Sequence, residues 1–308
     1  MPITWSDEVD DILAGDMTAG LAYPTPAKGV VIIPMSPLGI RNRAAGTVTL
    51  SSTIAFPKKI ERIRANPSLA LAYHAREHGF SSRPEYVLVQ GRATVGDRPD
   101  RAWLESITPD WERFFGPRRS GVLGRLLDVY YWQRIAITID VHRIIVVDPT
   151  TQQSTVLGAA IPTTPPPAQS PPKNGTGPRV DSAKVAAYIA RLPHTLLGWV
   201  GTDGFPMVVP VTSATANPAG LHLQTKPDLL PPGHRRAGLL AHMFHPRSVG
   251  WEQRGYTGWL DVDDAGAHYA PHTAFGLATS PSTRTFEVIT AIVTNARARK
   301  GRKQALIR

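Results

Sequence analysis

The stretch from Pro149 to Arg179 sets the plan of this chain. It holds Pro162, Pro165, Pro166, Pro167, Pro171, Pro172 and Pro178 and almost nothing that a core could bury. Proline locks φ and favours extended polyproline II, so such a stretch is a semi-rigid spacer between folded units. The length of 308 residues suffices for two domains, each with its own core. The expected organisation is a first unit over 1–148, a linker over 149–179, a second unit over 180–294 and a basic tail over 295–308.

Both units are written in short runs rich in β-branched residues and separated by Gly, Pro or Asn. In the first they are Gly29 to Met35, Thr47 to Ser51, Ser68 to His74, Tyr86 to Val95 and Trp132 to Val147. In the second they are Thr195 to Thr202, Phe205 to Thr212, Gly220 to Thr225, Ala237 to Phe244 and Tyr256 to Val262. Helices are expected at Ser182 to Arg191 and at Pro57 to Ala65, with Pro57 in the first turn, Ile60 and Ile63 on one face and Asn66-Pro67 as the stop. A further helical stretch, Pro99 to Phe115 and on to Tyr130, carries Trp103, Trp111, Phe114 and Phe115, a stripe that reads as core. Ala237 to Phe244 and Tyr256 to Val262 echo Leu69 to His74 and Val89 to Val95, a weak internal repeat in which His74 and His242 take the same place. Strand runs at this spacing predict a mainly β chain built of small antiparallel barrels, whose closure removes exposed edges.

Composition narrows the chemistry. Without cysteine there is no disulfide, thiolate metal site or thiol nucleophile, and a reducing cytoplasm is the expected compartment. No apolar run approaches the ~20 residues of a membrane span. The acidic start, MPITWSDEVDD, is unlike a signal peptide, so a cytosolic, unprocessed protein without a membrane partner is expected. The net charge of +10 is scattered through both halves, apart from Arg297, Arg299, Lys300, Arg302, Lys303 and Arg308 in the tail. That distribution favours a solubilising surface over a nucleic-acid interface. His234, His242 and His245 lack the His-Glu-x-x-His form, and Pro271 breaks any helix joining His268 to His272, so no metal site is expected. The sequence also lacks a G-x-S-x-G elbow, a P-loop and a G-x-G-x-x-G turn. Asp10-Asp11 and Asp263-Asp264 sit in terminal or turn contexts that do not assemble an acid and a base.

The order and spacing of one set of motifs carry a resemblance. The set is Val30 to Pro34 followed by Thr47 to Thr53, then Lys59 with Ile63 and Asn66-Pro67 behind it, Leu69 to His74, and Val87 to Val95 with Gly91. It closes with Tyr131-Trp132-Gln133-Arg134-Ile135-Ala136-Ile137. In these residues the first half resembles the pyridoxamine 5'-phosphate oxidase-like superfamily of flavin-binding split β-barrels, which includes reductases that use the deazaflavin F420. Leu196 to Val262 resembles a second, more diverged copy. The resemblance implies two fused FMN-binding-type split barrels, a pseudo-dimer within one chain that is monomeric or dimerises further. It also implies FMN or F420 in the groove between them, exchanging hydride with a small conjugated substrate, the cofactor carrying the redox chemistry.

Carried over by position, Lys59 contacts the cofactor phosphate, Ser51, Ser52 and Thr53 offer hydroxyls, Lys58 adds charge and Arg134 is a secondary contact, while His74, at a strand end like His242, makes a structural hydrogen bond or lines the groove. Pro57 stands where many relatives have a small hydroxyl residue, so that contact is absent. In the second copy Lys226, His234, Arg235 and Arg236 offer charge without the Lys-helix-Asn-Pro pattern, and one intact cofactor site is expected. Gly91, Trp199, Trp251 and Trp259 offer close approach or ring stacking. The alternatives are a protein that holds a cofactor, haem or another planar anion without turnover, and nucleic-acid binding through the tail.

Overall fold

The first half of the chain runs through α1 (Asp7–Gly15), β1 (Ala19–Pro24), β2 (Val30–Met35), β3 (Arg41–Asn42), β4 (Thr47–Thr53), α2 (Pro57–Ala65), β5 (Ser68–Tyr73) and β6 (Tyr86–Val95). Four short helices, α3 (Arg101–Ser106), α4 (Thr108–Phe115), α5 (Gly121–Leu126) and α6 (Asp128–Trp132), lead into β7 (Arg134–Val147) and β8 (Ser154–Gly158). The second half comprises α7 (Ser182–Arg191), β9 (His194–Val200), β10 (Pro206–Asn217), β11 (Gly220–Thr225), β12 (Gly233–Met243), β13 (Glu252–Asp263), β14 (Gly266–Ala278) and α8 (Thr283–Ala305). These elements come from a computed structural model that describes residues 2–225, 229–279 and 283–305.

The fold is mainly β, as the sequence predicts. The first sheet follows the path β2-β1-β5-β6-β7-β4-β3, with β8 on the far edge of β7. The second follows β10-β9-β12-β13-β14-β11 and closes into a barrel, because β10 pairs with β11. The two paths visit corresponding strands in the same order. In the first, β3 takes the free edge of β4 and the path stays open.

The bulges correspond as well. Register shifts occur at Gly91, where β6 meets β7, and at Gly258, where β13 meets β14. A Cβ at either glycine would run into a carbonyl oxygen of the opposing strand, that of Asp140 or of Ala270. Only glycine lets these backbones approach. Gly258→Ala is expected to lower stability by about 1–3 kcal/mol, read from the denaturant midpoint. Gly177, with open space around its Cβ position, is the control, expected to change by less than about 0.5 kcal/mol when made Ala.

Several elements differ from the sequence reading. The run expected from Trp132 begins as strand only at Arg134, because Asp128–Trp132 is the last turn of the helical stretch. Helix α1 starts behind Ser6, whose hydroxyl accepts the Val9 N–H. β14 runs through Pro271, opposite Gly258 at the bulge, where the ladder is already interrupted. Within Pro149 to Arg179, Ser154–Gly158 pairs with β7, and Gln169 bonds to the Lys28 carbonyl and the Arg236 backbone.

One apolar core joins the halves. Ala22, Ile32, Ala72, Leu88 and Ile145 of the first pack with Leu197, Trp199, Val209 and Leu240 of the second. The Tyr86 hydroxyl donates to the Val208 carbonyl and Gln90 Nε2 to the Pro206 carbonyl, both at 2.6 Å. Arg143, 1% exposed, donates to Gln90 Oε1, to the Ala160 carbonyl and to the Asp203 carboxylate. Its charge is paired and its N–H groups are shared out, the condition under which a guanidinium is buried without a large penalty.

Candidate functional site

Helix α2 aims one lysine inward. Pro57 fits the first turn because its missing N–H would have had no partner there. Lys59 and Ile63 are four residues apart and so share a face with Ile60, which turns all three toward the core. Lys58, one position out of phase, is exposed. Lys59 is 8% exposed, and among the described residues its Nζ meets only Met35 Sδ at 3.4 Å and the face of Phe56 at 5.8 Å. Among the described residues no carboxylate pairs with it. Burial, helped by the nearby Arg134 guanidinium, pushes its pKa down to about 7.

Arg134 opens β7 directly opposite Thr53, the last residue of β4. Its Nε donates to Ser51 Oγ and its Nη2 to the Ser51 carbonyl, each at 2.9 Å, and its Nη1 reaches the Tyr130 carbonyl at 3.2 Å. The guanidinium also stands 5.0 Å from the Trp111 ring and 5.5 Å from the Tyr130 ring. Burial lowers its pKa to about 10, with Arg118 adding to the effect and Tyr130 opposing it.

Ser51, Ser52 and Thr53 are all buried at this strand end. Ser51 Oγ accepts from Arg134 and Thr53 Oγ1 accepts from the Ala55 N–H at 3.3 Å. Both therefore keep a hydroxyl hydrogen to donate. Ser52 Oγ lies 3.5 Å from the Thr53 carbonyl, at the limit of a hydrogen bond. A buried ammonium, a half-buried guanidinium and a row of hydroxyls converge here with no anion among them. Desolvation makes such a set costly by itself and strongly attractive to a phosphate, which takes charge-assisted hydrogen bonds from every member. The residues fit a phosphorylated cofactor at this end.

Other elements close the cluster. Trp111, Phe114, Tyr131, Phe244 and Ala291 pack together across α4, α6, α8 and the second half. Arg297 of α8 lies 4.9 Å over the same Phe56 ring that faces Lys59. The basic tail thus begins inside a helix that reaches the site. The side chains of Arg299, Lys300, Arg302 and Lys303, and Arg308 entirely, lie outside the described residues.

His74 sits elsewhere. Its Nδ1 is 2.9 Å from the Ala72 carbonyl, which can only accept, so Nδ1 carries the proton and Nε2 is bare. His242 Nε2, 2.8 Å from His74 Nε2, must then be the donor. That leaves His242 Nδ1 bare, and among the described residues nothing donates to it. His194 packs against both rings at 5.4 and 5.3 Å between centroids and bonds Glu77 at 2.9 Å. The equivalent histidines of the two halves therefore bond to one another at the seam, and neither bond of His74 reaches the Lys59 cluster.

In the second half, Lys226 lies outside the described residues. His234 faces Asp261 at 3.5 Å, Arg236 bonds Gln169 at 3.0 Å, and Arg235 is buried with the Pro232 carbonyl as acceptor. Separate partners hold these donors apart. Trp199 lies in the shared core, Trp259 lies 5.7 Å from the Arg236 guanidinium, and Trp251 donates to Ser248, so all three pack. Among the described residues no group of three metal-ligating side chains is placed to hold an ion, and no helix is long and apolar enough to cross a membrane. The stacking partners Trp111, Tyr130 and Arg118 had no motif to announce them.

No protein-family profile and no curated protein matches the chain. Solved structures do. A pyridoxinephosphate oxidase family protein related to general stress protein 26, from Clostridium acetobutylicum, aligns with 48% of this chain and 90% of its own at 13% identity and TM-score 0.36. A pyridoxamine 5'-phosphate oxidase-related, FMN-binding protein from Nostoc punctiforme aligns with 46% of this chain and 78% of its own, at 10% identity and TM-score 0.31. An FAD-binding protein from Mesorhizobium loti aligns with 50% and 96%, at 18% identity and TM-score 0.29. Each match spans about half of this chain, and at these identities the likeness is one of fold.

Proposed function

We propose that this chain is an oxidoreductase holding one phosphorylated ring cofactor, FMN or F420, with the phosphate on Lys59, Arg134 and the hydroxyls of Ser51 and Thr53. The observation that carries the reading is Lys59, a buried ammonium with no anion beside it among the described residues, at the place where the resemblance puts the cofactor phosphate. The bound cofactor would supply the hydride chemistry, and the chain would supply binding, orientation and exclusion of water. Near neutral pH Lys59 Nζ is poised between its two protonation states, and a phosphate beside it would hold the proton there. Arg134, fixed by Ser51 and by the Tyr130 carbonyl, presents its guanidinium in one orientation. The aromatic cluster around Trp111 keeps water from the far side. The substrate would be small and conjugated. The paired sheets act as two fused copies, so that one chain builds both walls of the groove, and a chain without cysteine suits a reducing cytoplasm.

Titration of the purified chain with riboflavin, FMN and F420, followed by ring fluorescence, tests this. One equivalent of a phosphorylated cofactor is expected to bind, with riboflavin about a hundredfold weaker. Arg134→Met is expected to weaken FMN or F420 by about tenfold to a hundredfold, the worth of one or two hydrogen bonds to a charged group. Equal binding of riboflavin and FMN would remove the phosphate from the account. Binding with no reduction of any acceptor would favour a carrier over an enzyme.

A further inference from the structure

Arg118, between α4 and α5, shares the Trp111 ring with Arg134, at 5.6 Å against 5.0 Å. It stands 4.1 Å from the Trp132 ring, over which Arg101 lies at 3.4 Å. Cations and indoles thus alternate from Arg134 through Trp111, Arg118 and Trp132 to Arg101. Unlike Arg143, Arg118 has poor partners of its own. Its Nη2 donates to the Leu104 carbonyl at 3.3 Å, while Nε and Nη1 are buried with no acceptor among the described residues.

Two carboxylates lie nearby, and neither binds the guanidinium. Glu112 Oε1 accepts the Arg118 backbone N–H at 3.4 Å, and Glu105 bonds Arg101 at 2.7 Å. Burial holds the Arg118 pKa below the usual arginine value despite Glu112. Arg118 in turn lowers that of Arg134, so the two guanidinium groups feel each other's charge. A second buried set of unsatisfied donors therefore lies next to the first, and the two are linked through one indole.

We propose that Arg118 forms a second anion subsite beside Lys59 and Arg134, so that the molecule held here carries a second anionic group linked to its phosphate. The inference rests on the reading of Lys59 as a phosphate anchor, and it selects among the cofactors compatible with that reading. A cofactor whose only anion is one phosphate would leave the Arg118 donors unmatched, and a specificity difference would follow from those unpaired groups.

Inorganic phosphate and pyrophosphate, titrated into the full chain with Trp111 and Trp132 as fluorescent reporters, provide the test. Pyrophosphate is expected to bind at least about tenfold more tightly than phosphate. Arg118→Gln should abolish that preference and leave phosphate affinity unchanged, whereas Lys59→Met should weaken both anions. Should Arg118→Gln fail to fold, Arg118→Lys keeps the charge and is expected to retain part of the preference. Arg118→Gln weakening both anions equally, or neither, would overturn the proposal, as would loss of the whole preference in Arg118→Lys. The two readings can fail separately. Flavin binding without a pyrophosphate preference removes the second subsite and leaves the flavin site, while the anion preference without flavin binding does the reverse.

Discussion

Lys59→Met is expected to make the ligand-free protein more stable and, at the same time, to abolish tight binding of a phosphorylated cofactor. The ammonium has a pKa of about 7 when folded, against an ordinary 10.5. Because the folded value is the lower one, the unfolded chain binds the extra proton between about pH 7 and 10.5, and stability rises with pH across that window. Below pH 7 the buried charge costs on the order of 5 kcal/mol, and methionine, of similar length and without charge, removes it. Chemical denaturation at pH 6, 7 and 9 reads this directly. The native chain should gain stability from pH 7 to 9, and Lys59→Met should be flatter and more stable at pH 6. A bound phosphate raises the Lys59 pKa again, so cofactor affinity should fall as pH rises above about 7, by up to tenfold per unit, and the variant should lose that dependence. A variant less stable than the native chain at pH 6 would show that Lys59 has a partner and is not the orphan cation described above.

Acid is expected to weaken the seam between the halves, the second large effect. Desolvation puts the pKa of His74 at about 3 and holds His242 well below the ordinary 6.5, with His194 disfavouring the charge on His74 and both His74 and His194 disfavouring it on His242. His194 is lowered too, less strongly, because Glu77 opposes its burial. With folded values depressed, the unfolded chain takes up protons first, and stability is lost as pH falls below about 6.5. His74, with its folded value near 3, contributes a slope approaching about 1.4 kcal/mol per pH unit, which amounts to about 2 kcal/mol by pH 5, and His242 adds to it in the same direction. Asp16 works against them: buried beside Arg76, it is pushed up to about 8 by desolvation, so it favours the folded state as pH falls toward 4. Comparing the native chain with His74→Leu/His242→Leu cancels that contribution. The double variant should lose most of the histidine slope between pH 7 and 5, and an unchanged slope would contradict the neutral pair.

Much of this was legible in the sequence, and the reasons differ by element. β6 and α2 start and stop where the runs YVLVQGRATV and PKKIERIRA do, because a β-branched alternation and a proline-started helix with an Asn-Pro stop are strong local signals. β1, with sequence AGLAYP, had no such signal; it is a strand because its neighbours β2 and β5 pair with it. β14 was hidden by Pro271, which is tolerated only because a bulge already sits opposite it. Within the basic cluster the helical phase was enough to separate Lys59, in step with Ile63, from the exposed Lys58. The equivalence of His74 and His242 was readable as a repeat, but their mutual bond depends on how the two sheets face each other, which no local pattern encodes. The stacking of Trp111 between Arg134 and Arg118 is likewise tertiary, and an aromatic stripe read as core turned out to be both core and part of the wall of the site.

The central claim is that Lys59 anchors the phosphate of one bound cofactor, and phosphorus NMR of FMN added to the full chain tests it most directly. One bound resonance per chain is expected, shifted from free FMN and moving with pH around the titration of Lys59, and no bound resonance is expected with Lys59→Met. FMN that binds with the phosphorus signal of the free molecule, or that binds Lys59→Met equally well, would contradict it.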